Sequence, residues 1–149
     1  MMFSSDRDQL RQFYCEVWRK HGAGLALEPL EVQIRDVITL HPEYHALLEH
    51  PDRALGREYL PEFGATNPFL HMGLHLALYE QLSTDRPAGI RALVAGVRGH
   101  WPDPHLLEHR MMECLAESLW RSQRDGTAPN ETDYLDCLRQ QLSAARSSR

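Results

Sequence analysis

The sequence has few cysteines and none of the short motifs that most often indicate an activity. Its three cysteines, Cys15, Cys114 and Cys137, are far apart and form no C-x-x-C pair. An odd number of dispersed cysteines favours free thiols in a reducing compartment over disulfides or a cysteine-rich zinc site. The motifs G-x-S-x-G and H-E-x-x-H and a glycine-rich phosphate loop are missing. The sequence therefore gives no support to the enzyme classes that these motifs define.

Long apolar runs and an excess of positive charge are also missing. No stretch approaches the ~18 consecutive apolar residues that indicate a membrane-spanning helix. The 16 basic residues are scattered and are outnumbered by 21 acidic ones, for a net charge of −5, which argues against nucleic acid or an anionic membrane as a partner. The opening MMFSSDRDQL lacks the basic and apolar regions of a signal peptide. We therefore expect a soluble cytoplasmic protein.

The apolar pattern is helical throughout. Alternation typical of strands appears nowhere, whereas apolar residues recur at helical spacing, and 149 residues fit one domain. We predict an all-α, single-domain bundle of about six helices spanning residues 1–149, with a disordered tail at 143–149. The expected helices cover approximately residues 6–21, 29–38, 68–82, 85–97, 104–124 and 130–142, with a short helical piece at 42–50.

Residues 51–66 show no clear periodicity and form an unusually long connection. Such loops are uncommon in compact domains and are usually functional or carry their own turns. We expect this one to pack Leu60 or Phe63 over the start of the helix that follows Asn67-Pro68.

Histidine is the residue that the chain has in excess. Nine histidines placed at random in 149 residues would give about half a pair at i, i+4 spacing, and the chain has three: His41/His45, His71/His75 and His105/His109. Residues four apart lie on one helix face with Cβ atoms ~5–6 Å apart. Two imidazoles at that separation can bind one metal ion.

The pair His71/His75 lies in an uncharged segment, FLHMGLHLALY. A helix that is apolar all round is buried all round, so we expect both histidines to be buried and neutral. Gly73 between them costs ~1 kcal/mol relative to alanine, and its expected use is the close approach of another backbone or a ligand. The alternative to metal binding is a pair of core histidines hydrogen-bonded to side chains and water.

The helix over 104–124 offers a second pair of ligands. On a helical wheel His109 lies within the apolar face and Glu113 at its border, a chelating spacing supplied by two ligand types. The alternative is a glutamate paired with an arginine at the rim. His105, in the first turn, is expected to flank the site.

His45 is a further candidate ligand, because it lies inside the short helical piece near Leu48. Pro42 separates it from His41, and the residue before a proline avoids the helical conformation. We therefore expect His41 to be a cap or a surface residue.

Several segments resemble an uncharacterised proteobacterial family known only as a domain of unknown function. The resemblance covers roughly Ser5 to Trp120, and its distinctive parts are HPEYH and NPFLHMGLH. It implies a compact bacterial protein and no particular activity. In spacing alone, His71-x₃-His75, His109-x₃-Glu113 and His45-x₃-Glu49 are similar to hemerythrin-like and DinB-like metal-binding bundles. The chain differs from hemerythrin in having no His-x₄-Asp.

Two hypotheses follow. The first is a buried divalent-metal site, with His71, His75 and His109 as ligands, completed by Glu113 or His45. Zinc, iron, nickel or manganese suits such ligands, and the chemistry would be hydrolytic or redox. The second is a non-enzymatic interaction or structural module with core histidines and a homodimeric or other protein partner. Its surface would be the aromatic first helix (Phe13, Tyr14, Trp18) or the loop around Tyr59 and Phe63.

Overall fold

A computed structural model describes residues 2–55, 57, 59 and 67–147, and these residues form helices and no strands. The all-α prediction is confirmed. The number of helices differs, because the described part contains eight α-helices rather than about six. They are α1 (Met2–Gly22), α2 (Pro29–Thr39), α3 (His45–Leu48), α4 (Pro51–Ala54), α5 (Pro68–Thr84), α6 (Ile90–Arg98), α7 (Pro104–Asp125) and α8 (Glu131–Ser147).

Two prolines account for the additional helices. His41 has φ −126° and ψ 69°, and His50 has φ −128° and ψ 79°, because the residue before a proline is excluded from the helical region. Pro42 then begins a 3₁₀ turn that leads into α3, and Pro51 begins α4, as suits a residue with a fixed φ and no N–H. The short piece expected over 42–50 thus forms as the 3₁₀ turn and α3, and α4 is an additional helix in the segment 51–66.

The predictions for the loop 51–66 and the tail 143–149 can be compared with the structure only where these residues are described. α4 lies inside the segment 51–66, whereas Leu60 and Phe63 are outside the described residues. α8 continues to Ser147, well into the range 143–149 where we expected a disordered tail. None of the helices in the described ranges is both long and apolar enough to span a membrane.

The chain divides into two compact units, residues 1–76 and 77–149, with the boundary inside α5. In the first unit α1 packs against α2, α3 and α4. Its core consists of side chains that are almost fully buried: Tyr14, Cys15, Val17, Ile34, Val37, Ile38, Leu48, Ala54, Phe69 and Met72. The prediction of a single domain stays a prediction.

In the second unit α8 packs against α6 and α7, and a disulfide joins Cys114 to Cys137. The expectation of free thiols is therefore wrong for these two cysteines, whereas Cys15 is a free, buried thiol. The connection between α7 and α8 is short, so the two helices run antiparallel, and Arg110 contacts Gln141 in the same register. The Cα atoms of the cysteines are consequently 5.8 Å apart, although 23 positions separate them in sequence.

The uncharged helix α5 is buried along one face only. Phe69, Met72, His75 and Leu78 are buried, whereas Leu70 is 59% exposed. The expectation that this helix is buried all round is therefore wrong, and of the two histidines expected to be buried His71 is only half-buried. The buried positions recur every three residues, so one face makes the contacts, and single exposed leucines are normal on protein surfaces.

Gly73 does not provide the close approach that we expected of it. A Cβ atom added there would meet only the Tyr14 hydroxyl within 4 Å, at 4.0 Å, which is an ordinary contact. We therefore predict that Gly73→Ala raises the free energy of unfolding by about 0.5–1 kcal/mol, because alanine restricts the unfolded chain and favours the helix. Urea denaturation measures this change. A loss of stability would show that the position needs glycine.

Glu31 links α1 to α2 in the first unit. Its carboxylate accepts hydrogen bonds from the backbone N–H of Glu28 at 2.8 Å and from the ammonium group of Lys20 at 2.9 Å. These two donors, the backbone N–H first, hold the pKa of Glu31 below its ordinary value.

A lowered pKa in the folded state means that the carboxylate stabilises the fold above its unfolded pKa of ~4.3. This contribution is lost as the pH falls through the folded pKa. We predict that Glu31→Gln is less stable than the wild type at pH 7 and that the difference shrinks toward pH 3. Thermal melts of both proteins across this range measure it, and a difference independent of pH would contradict the prediction.

Candidate metal site

His41 is the first of three histidines that meet in the first unit. It follows Leu40, the C-cap of α2, has a non-helical backbone with φ −126° and ψ 69°, and is only 3% exposed. Its Nδ1 is 2.8 Å from the carbonyl oxygen of Val37. A carbonyl oxygen only accepts, so we assign the proton to Nδ1. The Nε2 atom of a neutral His41 ring therefore carries a lone pair.

His71 and His75 provide the other two rings, one turn apart on α5. The Nε2 atom of His71 is 3.1 Å from that of His41 and 3.3 Å from that of His75. The ring centroids of the three histidines are 4.8–4.9 Å apart in every pairing. The ring centroids thus form a nearly equilateral triangle. The Nε2 atom of His71 is in contact with the Nε2 atoms of both His41 and His75.

A single N–H group accounts for both contacts among the three Nε2 atoms. Because Nε2 of His41 is an acceptor, the N–H at Nε2 of His71 is the donor to it. The Nε2 atom of His75 faces the same N–H and also accepts from it. One N–H thus links the three Nε2 atoms, and the Nε2 lone pairs of His41 and His75 both face His71.

The spacing of these atoms matches the ligand spacing of a transition metal. Zinc–imidazole bonds of ~2.0–2.1 Å in tetrahedral geometry place ligand nitrogens about 3.3 Å apart. The two measured separations, 3.1 and 3.3 Å, agree with that value. Ring nitrogens of His41 and His75 lie within 4.8 Å of each other. Two of the three separations therefore match those of nitrogens bound to one ion.

Aromatic packing fixes the orientation of two of these rings. The ring of Tyr44 stacks on His41 at 5.3 Å with an interplanar angle of 6°, and meets His71 edge-on at 6.2 Å. Burial raises the pKa of the Tyr44 hydroxyl, and the Glu43 carboxylate adds to the effect. The phenol thus stays neutral and packs against the rings of His41 and His71.

His45 makes different contacts. Its Nε2 is 2.8 Å from the carbonyl oxygen of Ile38, to which it donates, and its ring packs against Trp18 at 4.4 Å between centroids. This arrangement anchors α3 to the end of α2. Metal binding by His45 stays a prediction from the sequence.

In the second unit, the pair predicted at the start of α7 is formed. The rings of His105 and His109 are 4.1 Å apart between centroids, and each offers a nitrogen within 4.8 Å of the other's. Glu113 is 66% exposed, and its carboxylate is 3.4 Å from the guanidinium of Arg110, which is the arginine pairing that the sequence left open. Metal binding by His109 and Glu113 stays a prediction.

Sequence reasoning did not include His41 among the ligands. It does precede the 3₁₀ turn as its cap residue, as one alternative had it, but it is buried rather than on the surface. The available signal was its i, i+4 spacing to His45 within HPEYH. Because of Pro42, we did not expect His41 to share a helix face with His45. The proline gives His41 a non-helical backbone, and in that conformation its ring contacts His71 of α5.

Comparisons with known proteins add a family and no activity. No curated protein and no solved structure matches the chain, so the likeness in spacing to hemerythrin-like and DinB-like bundles has no match to support it. Residues 6–140 match the family model described as domain of unknown function DUF1841. The chain belongs to the DUF1841 family.

Proposed function

We propose that the first unit binds one divalent transition-metal ion through the Nε2 atoms of His41, His71 and His75. The observation that carries this proposal is the convergence of the three Nε2 atoms at 3.1 and 3.3 Å. A divalent cation replaces the single shared proton and takes all three lone pairs. His71 then carries its proton at Nδ1 instead of Nε2, so that each ring presents a lone pair at Nε2 and an N–H at Nδ1. For His41 that N–H already donates to Val37, the kind of outer partner that orients metal-binding histidines.

Burial favours this proposal over a purely structural cluster. His75 is fully buried and His41 nearly so. Polar nitrogens removed from water lose free energy unless they gain a compensating interaction. A bound cation satisfies all three nitrogens.

The ligand set favours zinc among the candidate metals. Three imidazoles without a carboxylate suit zinc, nickel or iron better than manganese. Zinc sites with three histidines leave a fourth position, which in catalytic sites is taken by water. Zinc lowers the pKa of such a water toward ~7, which makes it a nucleophile at neutral pH. Metal-assisted hydrolysis is therefore the chemistry that this site supports best.

Removal of the metal should destabilise the protein. An ion that binds only the folded state contributes ~2.7 kcal/mol at a hundredfold excess over its dissociation constant. For a chain of this size, strong chelation at neutral pH should lower the melting midpoint by about 5–10 °C, and added zinc should restore it. Elemental analysis of the purified protein identifies the ion.

His71→Ala and His75→Ala should each abolish the response to chelator. His109→Ala tests the sequence-predicted ligand in the same way. A protein that is metal-free as purified, and whose melting curve is unchanged by zinc, nickel, iron and manganese, would contradict metal binding. The histidines would then be structural, as in the interaction-module hypothesis.

His50 provides a matched control for His41. Both residues precede a proline, and both have Nδ1 2.8 Å from the carbonyl oxygen four positions earlier, Val37 for His41 and Ala46 for His50. His50 is exposed and has no ring contact with His71 or His75 among the described residues. The two alanine substitutions therefore remove the same local bond, and only His41→Ala removes a proposed ligand.

We predict that His41→Ala weakens zinc affinity by more than about 100-fold, beyond the 10–100-fold typical of losing an outer partner of a ligand. His50→Ala should leave affinity within about twofold of the wild type. Competition with a chromophoric chelator measures both constants. Equal affinities for the two variants would exclude His41 from the site.

A further inference from the structure

A second group of polar side chains lies elsewhere in the first unit, around Arg11 of α1. This guanidinium is only 2% exposed. Its Nη1 donates hydrogen bonds to the carbonyl oxygens of Ala54 at 2.9 Å and Arg57 at 2.6 Å. It also lies 5.1 Å from the ring centroid of Phe69 and 5.5 Å from that of Tyr59. Arg11 thus attaches α1 to the residues that follow α4.

Three donors in this group are buried and lack a hydrogen-bond partner in the described structure: Nε of Arg7, Nε of Arg11 and the hydroxyl of Tyr59. Buried polar atoms in proteins are nearly always hydrogen-bonded, and those that are not frequently mark the position of an ion or a water molecule. Three such donors in one group indicate a missing acceptor.

The charges of the group indicate what kind of acceptor fits. Arg7 and Arg11 lie four residues apart on α1 and so on one face, and the guanidinium of Arg57 is 4.9 Å from the ring centroid of Tyr59. Burial, and next the charge of Arg7, lower the pKa of Arg11. The carboxylate that offsets them is that of Asp8, 3.8 Å from Nε of Arg7. Arg11 and Arg57 thus lie against the Tyr59 ring, and Arg7, one helical turn from Arg11, pairs with Asp8. Among these described side chains the three guanidinium groups outnumber the single carboxylate.

We propose that Arg7, Arg11 and Tyr59 bind an oxyanion, the carboxylate or phosphate group of a small ligand. The two Nε–H groups and the phenolic O–H donate to its oxygens, and Arg57 contributes charge. Guanidinium groups match the geometry of both anions, and hydrogen bonds between charged partners are about twice as strong as neutral ones. The half-buried side chains of Arg7 and Tyr59 and the exposed Arg57 give a ligand access from solvent. A water molecule would satisfy the donors but would leave the positive charge unbalanced.

Titration calorimetry with inorganic phosphate and with citrate, at constant ionic strength of about 0.15 M, tests this site. Tyr59→Phe removes only the hydroxyl, and Arg7→Gln removes one charged donor while keeping an exposed polar chain. Arg11 stays unchanged because it holds the backbone at Ala54 and Arg57. Arg139→Gln in α8 is the matched control, since Arg139 is exposed and pairs with Asp136. Circular dichroism checks that each variant is folded.

Saturable binding of phosphate or citrate by the wild type is expected. Arg7→Gln should weaken it about tenfold or more and Tyr59→Phe about fivefold, as for the loss of a charged hydrogen bond, with no change in Arg139→Gln. The preferred probe distinguishes a phosphate-bearing ligand from a carboxylate-bearing one.

The absence of saturable binding of either anion would overturn the proposal. Binding that survives in both site variants would also overturn it, because the anion would then lie elsewhere, including on a bound metal. Since the site shares no residue with the three histidines, its failure leaves the metal proposal standing.

Discussion

The hydrogen bond from Nδ1 of His41 to the carbonyl of Val37 is the interaction on which the histidine cluster depends. It fixes which ring nitrogen carries the proton and leaves Nε2 as a lone pair directed at His71. Pro42 excludes His41 from the helical region at the end of α2, and the bond forms in this non-helical conformation. A helical residue at this position would continue the path of α2. The break in the helix is therefore part of the site.

The sequence HP occurs twice, and the comparison shows that local geometry alone does not make a ligand. His41 and His50 have nearly the same backbone conformation and the same bond to the carbonyl four residues earlier. His41 is buried against Tyr44 and the two histidines of α5, whereas His50 is exposed. Burial removes the competing hydrogen bonds of water, and the neighbouring imidazoles then become the partners of Nε2. Tertiary packing thus distinguishes the two residues.

The parts that sequence could predict are those set by local chemistry. Asn67-Pro68 and Asp103-Pro104 begin α5 and α7, and both polar side chains accept from backbone N–H groups of the first turn. The pairing of His71 with His75 follows from helical spacing. The burial of His41 and the disulfide of Cys114 depend on which elements pack together and in what register. Neither periodicity nor spacing contains that information, so sequence reasoning made His41 a cap or a surface residue and left the cysteines unpaired.

Helix α5 shows how core packing and ligand presentation are combined. Its buried face runs through Phe69, Met72 and His75, so the residues that fix its rotation include a proposed ligand. A one-residue change in phase turns the helix by ~100° and would remove His75 from the core and His71 from His41 together. The ligands are therefore assembled only when the first unit is folded, and they are dispersed when it unfolds. A cation that requires all three nitrogens must then bind the folded state selectively, and its binding free energy contributes directly to folding. At the proposed site, metal affinity and stability are therefore coupled, and a mutation in this core should change both.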